Sequence, residues 1–88
     1  MRDIHEIIAR LRTFVRERFN VSESDRDFSD DVHLFDFGYV DSFGAVELMS
    51  FVETTFGTEV TGSDLIAYPL NTVREIATFV MKRKNGEI

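Results

Sequence analysis

The side chains of this 88-residue sequence that have the types and spacing to do chemistry fall into a few groups. The first is Asp41-Ser42, an acid beside a hydroxyl where a helical pattern begins. Both residue types favour the N-cap, because a carboxylate or hydroxyl oxygen can accept from amides that the first helical turn leaves unpaired. A serine there is also suited to carry a phosphate ester, since free amides and the helix dipole favour an added anion. The second group, Asp25, Asp27, Ser29, Asp31 and Asp36, follows positions 1, 3, 5, 7 and 12 of a calcium loop. The pattern fails where Asp30 replaces the loop's Gly and Asp36 its Glu, and it reads as a solvated acidic loop. His5 and His33 have no second His or Cys at ligand spacing and read as ordinary surface or loop residues. Lys82-Arg83-Lys84 reads as a complement to the negative end of a helix dipole. The local run Val40-Asp41-Ser42-Phe43-Gly44 lacks the Gly-x-Ser-x-Gly elbow of a hydrolase nucleophile.

Composition narrows the field further. The chain has no Cys, so there is no disulfide framework and no thiolate nucleophile. Residues 1–88 are enough for one domain, because a second core could not be filled from so short a chain. Net charge is −6, which disfavours nucleic acid and an anionic membrane surface. No apolar run approaches membrane-spanning length, and charge interrupts the start before a signal-peptide core can form. A cytoplasmic monomer is the expectation. The charge is unevenly placed: residues 1–18 and 65–88 each carry net +2, whereas residues 19–64 carry eleven acids against Arg26 alone, net −10. A partner that reads this protein electrostatically is expected to be basic and to read the middle.

The elements that must position these groups are helical. Ile4, Ile7, Ile8, Leu11, Phe14, Val15 and Phe19 recur at helical spacing and predict a first helix over residues 3–19, with Asp3 to Glu6 as a capping box and Asn20 and Ser22 as stops. Residues 20–41 show no periodicity. Phe28, Leu34, Phe35, Phe37, Tyr39 and Val40 are expected to pin this long connection across the core, with one short helical turn near Asp30 to Phe35. A second helix starts at Ser42 and stops at Gly57. A short third begins near Thr61 and must end before Pro69. A last helix follows the capping box Thr72 to Glu75, with Val73, Ile76, Ala77, Phe79 and Val80 facing inward. No strand-like alternation is present, so the fold class is all-α: a small four-helix bundle, three helices long and one short, with a long loop between the first two. Gly38, Tyr39 and Val40 present Asp41-Ser42 at the end of that loop, and Gly44 is expected to leave open space beside the hydroxyl.

The run Phe35-Asp-Phe-Gly-Tyr-Val-Asp41-Ser42-Phe-Gly-Ala-Val-Glu47-Leu-Met resembles the attachment motif of acyl carrier proteins. Its Asp-Ser-Phe-Gly version is most similar to D-alanyl and related aminoacyl carriers. The resemblance extends over nearly the whole chain, through Phe56-Gly-Thr-Glu-Val60 and the Asn71-Thr72-Val73 entry to the last helix. It implies that Ser42 receives 4′-phosphopantetheine from coenzyme A and that Asp41 assists recognition by a phosphopantetheinyl transferase. It also implies that Phe43, Val46, Glu47, Ser50, Glu53 and Thr54 form the face that partner enzymes read, leaving Leu48, Val52 and Phe56 for the core. Gly44 in place of an acid, Thr54-Thr55 after Glu53, and Thr61 in place of Pro depart from the fatty-acid branch.

The function expected on this resemblance is that of a non-catalytic acyl or aminoacyl carrier that holds its cargo as a thioester. An adenylating ligase or acyltransferase would load it, and a downstream transferase or synthase would unload it. The competing reading is an unmodified acidic helical interaction domain in which Asp41-Ser42 is only a cap. No metal is expected.

Overall fold

The computed structural model describes residues 3–88, and among them there are four helices and no strand. The first, α1, spans Ile4–Arg18 and is capped by Asp3, whose carboxylate accepts from the Glu6 N–H at 3.0 Å. It ends where Asn20 turns left-handed at φ 57°, which lets the Val21 N–H reach back to the Arg16 carbonyl at 3.0 Å. Asn tolerates that conformation better than most residues, and the six-residue closure satisfies a carbonyl that the helix end leaves free. Helix α2 spans Ser42–Phe56, and Gly57 at φ 65° stops it without the strain a side chain would add. The short α3, Gly62–Ala67, carries a full capping box between Thr61 and Asp64 and ends at Tyr68, which the following Pro69 holds in extended backbone.

Helix α4, Val73–Lys84, is capped by the Thr72 hydroxyl, which accepts from the Glu75 N–H at 3.0 Å. The expected reciprocal bond reaches one residue further: Glu75 Oε1 accepts from the Asn71 N–H at 2.9 Å.

The apolar stripes meet as the sequence pattern requires. Ile7, Leu11 and Val15 of α1, Leu48 and Val52 of α2, and Val73, Ile76 and Val80 of α4 are almost wholly buried, and α1 packs directly on α4. The long connection contributes Phe28, Val32, Leu34 and Val40 to the same core. Its backbone is anchored as well, with the Leu34 N–H donating to the Asn71 carbonyl and the Arg74 N–H to the Asp30 carbonyl, both at 2.9 Å. The helical turn expected near Asp30 to Phe35 lies slightly later, where the Phe37 N–H bonds the His33 carbonyl. Asp30 is held by α1 and α4 instead: its carbonyl takes the Arg74 amide, and its carboxylate takes Arg12 at 2.6 Å. Arg12 and Arg16 also lie over the Phe28 ring, which adds cation–π attraction to the anchorage.

Candidate functional site

The N-terminus of α2 is built from the loop inward. Val40 is buried and donates its N–H to the Leu34 carbonyl at 3.0 Å, fixing the chain just before Asp41. Tyr39 anchors the preceding turn, its hydroxyl donating to both Asp25 oxygens at 3.0 and 3.1 Å. Partial burial, followed by the Asp25 carboxylate, raises the Tyr39 pKa, so this phenol stays a donor. Asp41 is extended, and its carboxylate accepts from the Gly44 N–H at 2.8 Å. The cap is therefore the acid. Ser42 is the first residue of the helix, exposed, and its hydroxyl has no partner among the described residues. The N–H groups of Ser42 and Phe43 likewise find no acceptor among those residues. An exposed hydroxyl beside free amides at the positive end of a 15-residue helix fits a phosphate ester both sterically and electrostatically.

Gly44 differs from the expectation of open space. It is buried, and a Cβ built on it would lie 2.7 Å from Cε1 of Phe19 and 3.0 Å from a methyl of Val40. The space that glycine leaves is already filled by the end of α1.

Along α2, Leu48, Val52 and Phe56 face the core, while Phe43 and Val46 are 85% and 69% exposed and Ser50 and Thr54 also face outward. The two acids on this helix both have intramolecular partners. Glu47 accepts from Arg18 Nε at 2.9 Å and Nη2 at 2.5 Å. Glu53 accepts from the Val60 N–H at 2.8 Å and so ties down the chain leading to α3.

Sequence reasoning missed the contribution of α3 to this surface. Leu65 and Ile66 are 53% and 91% exposed, and with Phe35, Ala45, Val46 and Met49 they line a groove of about 740 Å³ between α2 and α3. The available signal was an adjacent Leu-Ile pair in a helix too short to bury a stripe. From α4, Arg83 reaches Asp64 at 2.8 Å, and the Tyr68 and Phe79 rings meet at 5.5 Å, so α3 is held in place. The Arg83 hydrogen bond, helped by the Thr61 amide, lowers the Asp64 pKa to about 2.

Two of the acids that echo a calcium loop, Asp25 and Asp31, have other occupations. Asp25 accepts from Tyr39 and from the amides of Asp27 and Phe28, and Asp31 pairs with Arg74 at 2.7 Å, which lowers its pKa. Among the described residues no group of three or more His, Cys, Asp or Glu could hold a metal ion, and no helix is long and apolar enough to cross a membrane.

The family model described as phosphopantetheine attachment site matches residues 9–80, which takes in all of α2 and α3 and most of α1 and α4. No curated protein matches significantly.

Proposed function

Because this chain belongs to the phosphopantetheine-attachment family, whose domains receive that group covalently and act as carriers, we propose that Ser42 is the residue that takes it. The observation that carries this reading is an exposed Ser42 hydroxyl, without a partner among the described residues, on the first residue of α2 with Asp41 already serving as the cap. In the attachment step the Ser42 oxygen bonds to the phosphorus of coenzyme A that bears pantetheine. The pyrophosphate bond breaks, adenosine 3′,5′-bisphosphate leaves, and the serine proton passes to a base of the transferase. The bound arm supplies the thiol that a chain without Cys lacks, and cargo is carried on it as a thioester. Asp41 holds the amide of Gly44, leaving the Ser42 and Phe43 amides free to face the phosphate.

Cargo is an acyl or aminoacyl group, loaded by an adenylating ligase or acyltransferase and removed by a transferase or synthase, with bond-making left to those enzymes. The partner face is formed by Phe43, Val46, Ser50 and Thr54 of α2 together with Leu65 and Ile66 of α3. Its contact chemistry is mainly apolar, with the Ser50 and Thr54 hydroxyls beside Phe43, Val46, Leu65 and Ile66, while the carboxylates of Glu47 and Glu53 are engaged within the chain.

Intact mass after incubation with coenzyme A and a broad-specificity phosphopantetheinyl transferase tests the attachment. The wild-type chain is expected to gain one phosphopantetheine and Ser42→Ala none. A wild-type chain that gains nothing, or a Ser42→Ala chain that gains as much, overturns the assignment and returns the protein to an unmodified interaction domain.

A further inference from the structure

Two consecutive residues at the end of α1 grip the start of α2. The Phe19 ring lies in the notch at Gly44, with Cε1 and Cζ within 2.7 and 3.1 Å of where a side chain there would begin. Arg18, its neighbour, bonds Glu47 one turn further along, and its guanidinium carbon sits 5.9 Å from the Phe19 ring centre. The Phe14 ring meets the same ring nearly at right angles, with centroids 5.9 Å apart. Gly44 also donates its amide to Asp41, so the cap and the notch act on one residue, two positions from Ser42. Glycine is a poor helix former, and its presence in the first turn of α2 has a steric reason here: any side chain displaces the ring.

We propose that Phe19 is a positioning residue for the modification of Ser42: its ring seats in the Gly44 notch and fixes the first turn of α2, on which the Ser42 hydroxyl rides. The inference rests on Ser42 being the attachment site. Phe19 touches neither the hydroxyl nor coenzyme A, and its effect passes through the orientation of the helix start. An acceptor hydroxyl held slightly out of line slows group transfer steeply, whereas binding of the carrier to its transferase through the outward face of α2 is largely kept.

The test is a size exchange. Leucine at position 19 lacks the ring atoms that crowd Gly44, which removes the tighter contact of an alanine methyl at position 44; the remaining one, with a Val40 methyl at 3.0 Å, needs that side chain to give by a few tenths of an ångström. Rates of phosphopantetheine transfer are measured by intact mass over a range of carrier concentrations for wild type, Gly44→Ala, Phe19→Leu and the double variant, with far-UV circular dichroism to establish the folded fraction. Gly44→Ala is expected to lose about tenfold in kcat with little change in KM. Phe19→Leu is expected to be slower than wild type, and the double variant faster than Gly44→Ala and no slower than Phe19→Leu. A Gly44→Ala or a Phe19→Leu chain modified at the wild-type rate overturns the proposal, as does a double variant that is no faster than Gly44→Ala or is slower than Phe19→Leu. If Gly44→Ala does not fold, the comparison of the double variant with Phe19→Leu decides the matter alone. Failure of the underlying assignment is distinguishable, because it appears in the wild-type and Ser42→Ala chains before any of these variants is compared.

Discussion

Replacing Asp41 separates two roles that the sequence superimposes, the helix cap and the charge beside Ser42, the proposed attachment residue. Its carboxylate accepts from the Gly44 amide at 2.8 Å, and its carbonyl takes the Ala45 amide at the same distance. Asp41→Ala keeps the second bond and loses the first, which costs about 1 kcal/mol for an N-cap. Asp41→Asn keeps an oxygen acceptor of nearly equal capping strength and loses only the charge at the positive end of α2, about 0.3 kcal/mol for an exposed site. In a domain of this size about 1 kcal/mol moves the melting temperature by about 4–8 °C. Thermal melts are therefore expected to place Asp41→Ala well below wild type and Asp41→Asn close to it. Transfer of phosphopantetheine measured on the same samples is expected to slow in both, because both lack the carboxylate that the transferase would read. If Asp41→Asn melts as low as Asp41→Ala, the carboxylate is not acting as an interchangeable cap acceptor, and the reasoning fails. If both variants are modified at the wild-type rate, Asp41 is a cap and nothing more.

Further expectations follow for the rest of the molecule. Exchanging the Arg18 and Glu47 charges (Arg18→Glu with Glu47→Arg) restores the about 0.5 kcal/mol that each single reversal costs in denaturant melts. If loading by the cognate ligase stays slow in the exchanged protein, Glu47 is also read by the partner; full recovery makes its role internal. Ile66→Asp, at the most exposed large apolar position among the described residues, is expected to slow loading about tenfold or more while leaving the melt unchanged, and normal loading would remove α3 from the proposed partner face. The Asp64 pKa, held near 2 in the fold against 3.8 for the free group, means that its ionised form stabilises above about pH 3.8 and that this contribution fades as pH falls towards 2. The melting difference between wild type and Asp64→Asn is thus expected to be constant from neutral pH to about 4 and to shrink below it; a difference unchanged near pH 2 contradicts the Arg83 pairing.

The helices were legible because each carries its own local signals. Asp3, Asp41, Thr61 and Thr72 all stand as N-caps, and Gly57 and Pro69 end their segments as their backbone chemistry dictates. The long connection was legible only in its apolar residues, and not in all of them, since Phe37, expected to help pin it across the core, is 65% exposed. Leu34 is fully buried, yet nothing in its neighbourhood reveals that its amide pairs with Asn71, because that partner is 37 positions away in the chain. The same limit applied at Gly44. Periodicity places a small residue in the first turn of α2, but whether its missing side chain is open space or a seat for a ring depends on how α1 ends, and Phe19 is remote in sequence. Glu47 and Glu53 are at positions where an isolated helix would present them to solvent, and the packing of α1 and of the α2–α3 link gives each a partner instead.

The charge distribution acquires a more specific meaning from those pairings. Of the eleven acids in the −10 segment, Asp30, Asp31, Glu47 and Asp64 are each paired to an arginine from α1 or α4. The two basic ends of the sequence therefore fold back onto its acidic middle. The net charge of −6 is unchanged by this and still sets the field felt at a distance, which steers a basic partner towards the protein and weakens with salt. At contact the proposed face offers Phe43, Val46, Leu65 and Ile66, all more than half exposed, and few free charges. Steering by charge followed by capture on apolar surface divides the kinetics: added salt should lower the association rate, and dissociation should follow the buried apolar area and change little. A carrier that must reach several enzymes in turn and leave each one is served by that division, since its encounter rate and its residence time are set by different residues.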